Sequence, residues 1–223
     1  MATVPENSPI STEPLHSMPH DESDGLSWAS IAIDPITVER WAEIEELRHY
    51  ELVDGHLQEK PPVAFWHEFL LLNLFRYLDG YVRLRDLGCL VCATAPLRIN
   101  KINGRRPDIF FIPKQLLHLV GKNVFKGVPP LVVEILSPRN AAEDRGRKRR
   151  DYAMLGVAEY WIVDFPDRAI EVYTLQAQID GTREYELVET VRGDGIFRPA
   201  MFPGLEIPLA EIWPTEYENR SDD

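Results

Sequence analysis

The stretch LVVEILSP, at residues 131–138, limits the fold of this chain more narrowly than any other feature. In a β-strand, alternate side chains point to opposite faces, and both faces of this stretch are apolar except at Glu134. Strands that are apolar on both faces are typical of sheet interiors that are covered on both sides. The stretch therefore predicts a central strand of an α/β protein, with one carboxylate, Glu134, among its apolar residues.

Apolar segments before and after this stretch predict the remainder of a mixed sheet flanked by helices. The predicted strands are 88–99, 106–113 and 158–165, with a late antiparallel ribbon at 168–176 and 183–191. Turns are predicted at Asp54-Gly55, inside a hairpin over 50–60, and at Asn103-Gly104. Helices are predicted at 34–47, 140–156 and 61–82, and the last of these is expected to end at Gly80 and to be largely buried.

Composition indicates one domain between two polar tails. The 223 residues are 44% hydrophobic, which is enough for one core of moderate size. Residues 1–33 and 215–223 are rich in polar and acidic residues and are expected to be disordered, which leaves a domain at 34–214. No apolar run of about 18 residues is present, so no membrane span is expected. Residues 1–25 lack the pattern of a secretory signal.

Cys89 and Cys92 are the two cysteines of the chain. A CxxC pair can be half of a zinc site or a redox motif, but a second pair is missing, and residues three apart in a strand face opposite sides. We interpret both as core cysteines, and their use fits a reducing cytosol, so a cytoplasmic location is expected. The net charge of −12 repels nucleic acid on average, so nucleic-acid binding would need a local basic patch.

Two core strands each carry one carboxylate, Asp108 in RPDIFFIP and Glu134 in LVVEILSP. Taking a lone carboxylate out of water is costly unless a cation lies against it. Two carboxylates plus waters are a common Mg²⁺ arrangement. The alternative is that both acids lie half-exposed at strand ends, each paired with an arginine, and the strands alone leave both possibilities open.

The predicted helix that follows contains EDRGRKRRDYAMLG, at residues 143–156. Asp144, Lys148 and Tyr152 recur every four residues and therefore share one helix face. Because Tyr152 is expected to pack on the sheet, Lys148 is predicted to point inward. The outward arginines would then form the local basic patch; they are Arg147, Arg149 and Arg150. The alternative is a solvated helix on which Asp144 and Lys148 form a surface ion pair.

The ordered set RPDIFFIP, PLVVEILSP and DRGRKRRDYAMLGVAEYWIVDF resembles the "putative restriction endonuclease" domain family, a bacterial group in the PD-(D/E)XK nuclease superfamily. TVERWAEIEELRHYELVDGHL near the start and FPGLEIPLAEIW near the end also resemble that family, so the resemblance covers about residues 35 to 214. It implies a restriction-endonuclease-like core, use of Mg²⁺ or Mn²⁺, DNA as the substrate and a homodimer.

The same resemblance implies the main site residues. Asp108 matches the aspartate of the PD motif, and Glu134 matches the acidic residue of the (D/E)XK element, so these two would hold the metal ion. Leu136 stands where the superfamily has its lysine. Lys148 on the following helix matches the lysine that takes its place in this family, and it would orient the attacking water.

Glu51 in YELVDG matches a further acidic position of the family, and His67 in FWHEF stands where the family often has a histidine. For each of these two a structural role is an open alternative. The hypothesis for function is metal-dependent hydrolysis of DNA phosphodiester bonds, with Arg145, Arg149 and Ser137 as candidate contacts to the phosphate backbone. The alternative is a catalytically silent module on the same fold that binds nucleic acid or a protein.

Overall fold

The computed structural model describes residues 35–92, 95–137 and 141–214. The predicted tails at 1–33 and 215–223 lie outside these ranges, and the predicted limits of the domain stay predictions. Within the described residues, no helix is both long enough and apolar enough to cross a membrane.

A six-stranded mixed sheet forms the centre of the described chain. Its strands are β3 (Gly88–Cys92), β6 (Ile109–Pro113), β7 (Leu131–Ile135), β8 (Glu159–Asp164), β9 (Ala169–Ala177) and β10 (Arg183–Arg192). Their spatial order is β10-β9-β8-β7-β6-β3. Only β7 and β8 run parallel among these neighbours, and the other pairs are antiparallel. The α/β fold class with a mixed sheet, predicted from the sequence, is confirmed.

Helices cover both faces of this sheet. The first helix, α1 (Val38–Glu43), packs apart from this sheet, in a cluster with Leu52. The helices on the sheet are α2 (Phe65–Leu84), α3 (Ala141–Glu143) and α4 (Arg149–Leu155), and a π-helical turn, Asp144–Lys148, joins α3 to α4. We call the last three segments together the 141–155 helix. Parallel neighbouring strands need a crossover connection, and the 141–155 helix provides it between β7 and β8. Short 3₁₀ turns lie at Glu45–His49, Lys114–Leu119 and Leu209–Glu211.

The central strand β7 is buried along its whole length. Val133 and Ile135 face the cluster that contains the inner side of α2, whereas Val132 faces the cluster that contains Tyr152 of the 141–155 helix. Burying a side chain of this size contributes about 1.5–3 kcal/mol. The alternation therefore confirms the predicted strand, and it directs Glu134 to the same face as Val132, toward the 141–155 helix.

A smaller sheet lies beside the first and contains β1 (Tyr50–Val53), β2 (His56–Glu59), β4 (Leu97–Arg98) and β5 (Gly104–Arg105). Its order is β2-β1-β5-β4, and a separate pair joins β11 (Ile196–Phe197) to β12 (Ile207–Pro208). The hairpin turn predicted at Asp54-Gly55 is confirmed, since both residues have the positive φ that a two-residue turn of this kind requires, 52° and 78°. A Cβ on Gly55 would lie 2.4 Å from Cβ of Pro35, so glycine is required there for space as well.

The end of α2 differs from the prediction. The helix continues through Gly80 to Leu84. Gly80 is exposed, and an exposed helical glycine costs only about 1 kcal/mol. That cost is smaller than the gain from burying Tyr81 and Val82, which follow it on the core side.

The burial of α2 is also lower than predicted. Leu70, Leu74 and Leu78 recur at helical spacing and are fully buried. On the opposite side, Phe65 is 80% exposed and Leu72 is 53% exposed. The helix is therefore apolar around most of its circumference but buried along one face only.

The segment predicted as one strand over 88–99 contains two strands that belong to different sheets, β3 and β4. The turn predicted at Asn103-Gly104 lies at residues 99–103 instead, closed by the Ile99 amide donating to the Asn103 carbonyl. Gly104 itself lies in β5, where a Cβ would come within 2.5 Å of the Trp41 ring. Cys89 and Cys92 are free and pack against opposite faces of the large sheet, as the strand periodicity predicts.

Candidate active site

Two carboxylates lie side by side where β6 and β7 meet. Ile109 pairs with Val133 in the antiparallel register of these strands, so continuing the ladder by one residue sets Asp108 opposite Glu134. The amide of Ile135 donates a 2.7 Å hydrogen bond to Oδ2 of Asp108, which fixes the carboxylate against β7. Asp108 and Glu134 are 7% and 1% exposed, so the alternative of two half-exposed acids is wrong.

The predicted inward lysine reaches these acids. Nζ of Lys148 donates a 2.9 Å hydrogen bond to Oε2 of Glu134 and lies 2.8 Å from Oδ1 of Asp144. The hydroxyl of Tyr152 donates to Oε1 of Glu134 at 2.6 Å. Lys148 and Asp144 are both nearly fully buried, so this ion pair is part of the interior and not a solvated surface pair.

A π-helical turn, Asp144–Lys148, carries the lysine. Such turns are rare and occur frequently at functional sites. The hydroxyl of Tyr160 on β8 donates to the carbonyl of Asp144 at 3.1 Å, which ties the start of this turn to the sheet. The π-helical turn is therefore anchored at its first residue by Tyr160 and at its last by Lys148. The spacing of residues in the sequence did not predict this turn.

Glu51 approaches the same site from the smaller sheet. Its Oε1 lies 3.8 Å from Nζ of Lys148 and accepts a hydrogen bond from the amide of Arg106 at 3.2 Å. Its Oε2 accepts from Arg105 at 2.7 Å. The structure thus brings together all four predicted catalytic residues, and the roles assigned to them stay predictions.

Arg105 is a buried residue of the site that the sequence reasoning missed. Its guanidinium is fully buried and binds Glu51. Nε and Nη2 donate to Oδ2 of Asp151 at 2.8 and 2.6 Å. Nη2 also lies 3.2 Å from Oε1 of Glu143. It thereby joins β5 and β1 to the residues on either side of the π turn. Its position two residues before Pro107-Asp108 was the only available signal.

His67 on α2 is the partner of Asp108. Its Nε2 lies 3.2 Å from Oδ2 of the carboxylate. Burial disfavours the charged imidazolium, but the hydrogen bond to Asp108 and the charge of Asp108 raise the pKa of His67 above its ordinary value. Burial likewise opposes ionisation of Asp108, and His67 lowers the pKa of that carboxyl. His67 therefore contacts Asp108 of the candidate site, and its role there stays a prediction.

The carboxylates around Lys148 carry more negative charge than its ammonium neutralises. The pKa of Glu134 is raised to about 8, because burial and the charges of Asp108 and Asp144 outweigh the lowering effect of Lys148. Burial also raises the pKa of Asp144 in spite of Lys148. Lys148 itself is held charged, because its acidic neighbours outweigh its burial and raise its pKa. An additional cation beside Glu134 and Asp108 would therefore be stabilised.

The donor atoms fit a magnesium-type ion better than a zinc-type ion. Among residues 35–92, 95–137 and 141–214, no group of three or more histidine, cysteine, aspartate or glutamate side chains has the arrangement of a metal cage. Mg²⁺ is usually held by one or two carboxylates and keeps several waters. Asp108 and Glu134 provide two carboxylates, and each has about four acceptor positions, so the hydrogen bonds from Ile135, Lys148 and Tyr152 do not use all of their lone pairs.

The two arginines predicted to contact nucleic acid both have partners within the protein. Arg145 binds the carboxylates of Asp164 and Glu171. Arg149 donates to the carbonyl of Tyr185 at 3.2 Å and lies over the Tyr173 ring.

The predicted basic patch is smaller than expected for the same reason. Arg147 pairs with Asp54 at the hairpin turn. Of the outward arginines, Arg150 alone is exposed, and Arg147 and Arg149 are half-buried.

Residues 37–210 match the model of the Uma2 family, described as "Putative restriction endonuclease". The chain belongs to this family. Its fold is similar to that of a solved protein from Anabaena variabilis ATCC 29413, described as "a putative nuclease belonging to DUF820", with 17% sequence identity and a TM-score of 0.64. The similarity covers 80% of this chain and 98% of the other. A comparison with curated proteins finds no match.

Membership of the Uma2 family confirms the resemblance seen in the sequence and supports a nuclease-like function. In this Uma2 protein, Leu136 is 4% exposed and packs in the cluster that contains Tyr152. No amine is available at that position. The ammonium beside Glu134 comes instead from Lys148, on the helix that connects β7 to β8.

Proposed function

We propose that this protein is an endonuclease that hydrolyses phosphodiester bonds of DNA with the help of Mg²⁺ or Mn²⁺. One observation carries the proposal: Asp108, Glu134 and Lys148, from two strands and a helix, meet in a buried cluster that favours an added cation. Family membership supports the nuclease class, and the metal and the substrate are inferred from the chemistry of these side chains.

Asp108 and Glu134 would hold the ion through their carboxylate oxygens. A divalent cation bound there would polarise a phosphoryl oxygen and lower the pKa of a water. Their orientation is fixed by protein contacts, since Ile135 donates its amide to Asp108 and Tyr152 donates its hydroxyl to Glu134. Preorganised groups of this kind lose little energy to rearrangement during the reaction.

Lys148 would act as the cationic donor of the site. Its ammonium stays charged because Glu134, Glu51 and Asp144 surround it. From that position it can orient the attacking water or stabilise the charge that develops on the phosphoryl oxygens. In this proposal Glu51 and Asp144 position the ammonium, since they lie 3.8 and 2.8 Å from Nζ.

The direct test is the cleavage of supercoiled plasmid DNA in Mg²⁺ or Mn²⁺ by the wild type and by single variants. Asp108→Asn, Glu134→Gln and Lys148→Met are each expected to reduce the rate by about 10²-fold or more. Asp194→Asn is the matched control, because Asp194 is an exposed acid that pairs with Arg168 at the surface. Equal cleavage by the wild type and the two carboxylate variants would show that the assignment is wrong.

One observation favours the second candidate, a silent module on the same fold. Both carboxylate oxygens of Glu134 already accept a hydrogen bond from Lys148 or Tyr152. A protein that binds DNA in EDTA but neither cleaves it nor binds Mn²⁺ would support this candidate. The homodimer is a separate proposal that light scattering of the purified protein would test.

A further inference from the structure

A groove of about 1010 Å³ lies on the outer side of the 141–155 helix. The turn between β9 and β10 and the first residues of β10 form its other wall, and the charged residues that line it are Arg145, Arg149, Arg150, Asp151, Arg183 and Glu184. We call it the arginine groove. We propose that the arginine groove binds the phosphate backbone of a nucleic-acid duplex. This inference rests on the proposed function, because it names where the substrate of that site is held.

The groove keeps positive charge in a chain whose net charge is −12. Arg150 and Arg183 are both exposed, and neither forms an ion pair with any residue that the structure describes. The acidic residue Asp151 is already bound by buried Arg105, which leaves Glu184 as the exposed acid of the lining. Two arginines without an ion-pair partner among the described residues, Arg150 and Arg183, therefore stand against one free carboxylate, that of Glu184.

Arg149 is held in place by the fold, and Arg183 lies beside Gly156. Arg149 donates to the Tyr185 carbonyl and lies over the Tyr173 ring. Arg183 extends across Gly156, where an added Cβ would come within 2.7 Å of a guanidinium nitrogen. Ordered guanidinium groups lose less rotamer entropy when they bind phosphate, and their planar donors match its oxygens.

The lining indicates phosphate contacts and not base stacking. Proteins that bind single strands without sequence preference present exposed aromatic side chains on which the bases stack. The aromatic residue of this groove, Tyr185, is only 6% exposed, and its hydroxyl donates to the carbonyl of Val157. The exposed apolar residue there is Met154, at 61%. We therefore infer a duplex that is contacted through its backbone, without sequence preference.

The arginine groove lies on the side of the helix that faces away from the buried cluster. Arg150 follows Lys148 by two residues, which places it about 200° around the helix. Lys148 is 4% exposed, so the groove is an outer surface and the lysine belongs to the interior.

The test is fluorescence anisotropy of a short labelled duplex in EDTA, where no cleavage occurs, at several salt concentrations. For Arg150→Glu/Arg183→Glu we expect binding to weaken by about tenfold or more and the salt slope to fall by about two. The matched control is Arg40→Glu/Arg198→Glu, which changes the net charge equally at two other exposed arginines. Thermal melting verifies that both variants are folded.

Groove and control variants that bind equally well would overturn the inference. Tighter binding of a single strand than of the duplex would overturn it too. Binding of a poly-glutamate peptide by a wild type that does not bind the duplex would also overturn it. The cleavage assay tests the proposed function independently of this binding assay. If wild-type protein binds the duplex through the groove but never cuts it with Mg²⁺, the groove stands and the endonuclease proposal fails.

Discussion

Replacement of Arg105 by methionine gives the sharpest prediction for stability. The guanidinium is fully buried and is bound by Glu51 at 2.7 Å and by Asp151 at 2.6 Å. In Arg105→Met these carboxylates, which are 3% and 8% exposed, lose their cation. Breaking a buried pair in this way costs about 3–5 kcal/mol, which is a large part of the 5–15 kcal/mol that is typical for the free energy of unfolding of a domain.

The cost can be measured as a shift in the melting temperature. For a domain of this size, 1 kcal/mol corresponds to about 2–4 °C, so calorimetry should show Arg105→Met melting about 6–20 °C below the wild type. Arg40→Met is the control, because Arg40 forms only an exposed ion pair at 3.9 Å, which is worth less than about 1 kcal/mol. Arg105→Lys should fall between the two, since lysine keeps the charge but lacks the planar fork.

The same network predicts a pH dependence of stability. Burial opposes ionisation of Glu51, but Lys148 and Arg105 lower its pKa below the ordinary value of 4.5. A carboxylate whose pKa is lowered by folding contributes stability that is present above its pKa in the unfolded state and is lost as the pH falls through its pKa in the folded state. The difference in melting temperature between wild type and Arg105→Met should therefore shrink below about pH 4.

If Arg105→Met melts within about 3 °C of the wild type at neutral pH, the reasoning on buried charge is refuted.

Three further predictions concern single sites. Gly55→Ala should lower the free energy of unfolding by more than about 1 kcal/mol, because Gly55 has φ 78° and no space for a Cβ. Gly80→Ala should instead raise the free energy of unfolding by about 0.5–1 kcal/mol. Urea denaturation measures both, and equal effects of the two substitutions would contradict the account. Tyr152→Phe should cost about 1–3 kcal/mol in the same assay, since Glu134 loses its 2.6 Å hydrogen bond; an unchanged midpoint would rule that out. Burial raises the pKa of the Cys89 and Cys92 thiols, so both should react with Ellman's reagent more slowly than in urea-unfolded protein, and equal rates would argue against it.

The periodicity of the sequence was sufficient to predict the central strands. Both faces of LVVEILSP are apolar, and the structure buries Val132 and Val133 in opposite clusters. The same reasoning placed Lys148 on the inner side of its helix, because Tyr152 one turn later packs on the sheet. These features depend on local alternation and on helical spacing, which the order of residues records directly.

Features that depend on contacts between distant segments could not be predicted. The division of 88–99 between two sheets is decided by distant partners. β3 pairs with β6, whereas β4 forms a hairpin with β5, and β5 joins the smaller sheet through β1, much earlier in the chain. Arg105 looked like a loop residue, because its partners Glu51 and Asp151 are 54 and 46 residues away. The exposed side of α2, with Phe65 and Leu72, has the composition of a buried surface, so composition alone could not show which face is buried.

Calorimetric titration of Mn²⁺ tests the central claim most directly, since it asks whether Asp108 and Glu134 together bind a divalent ion. The wild type should bind Mn²⁺ with a saturable heat, and Asp108→Asn and Glu134→Gln should each weaken that binding by more than about tenfold. Asp194→Asn, which changes an exposed acid, should bind as the wild type does. Wild-type protein that gives no saturable heat at several temperatures, or variants that bind Mn²⁺ as tightly as the wild type, would contradict the account.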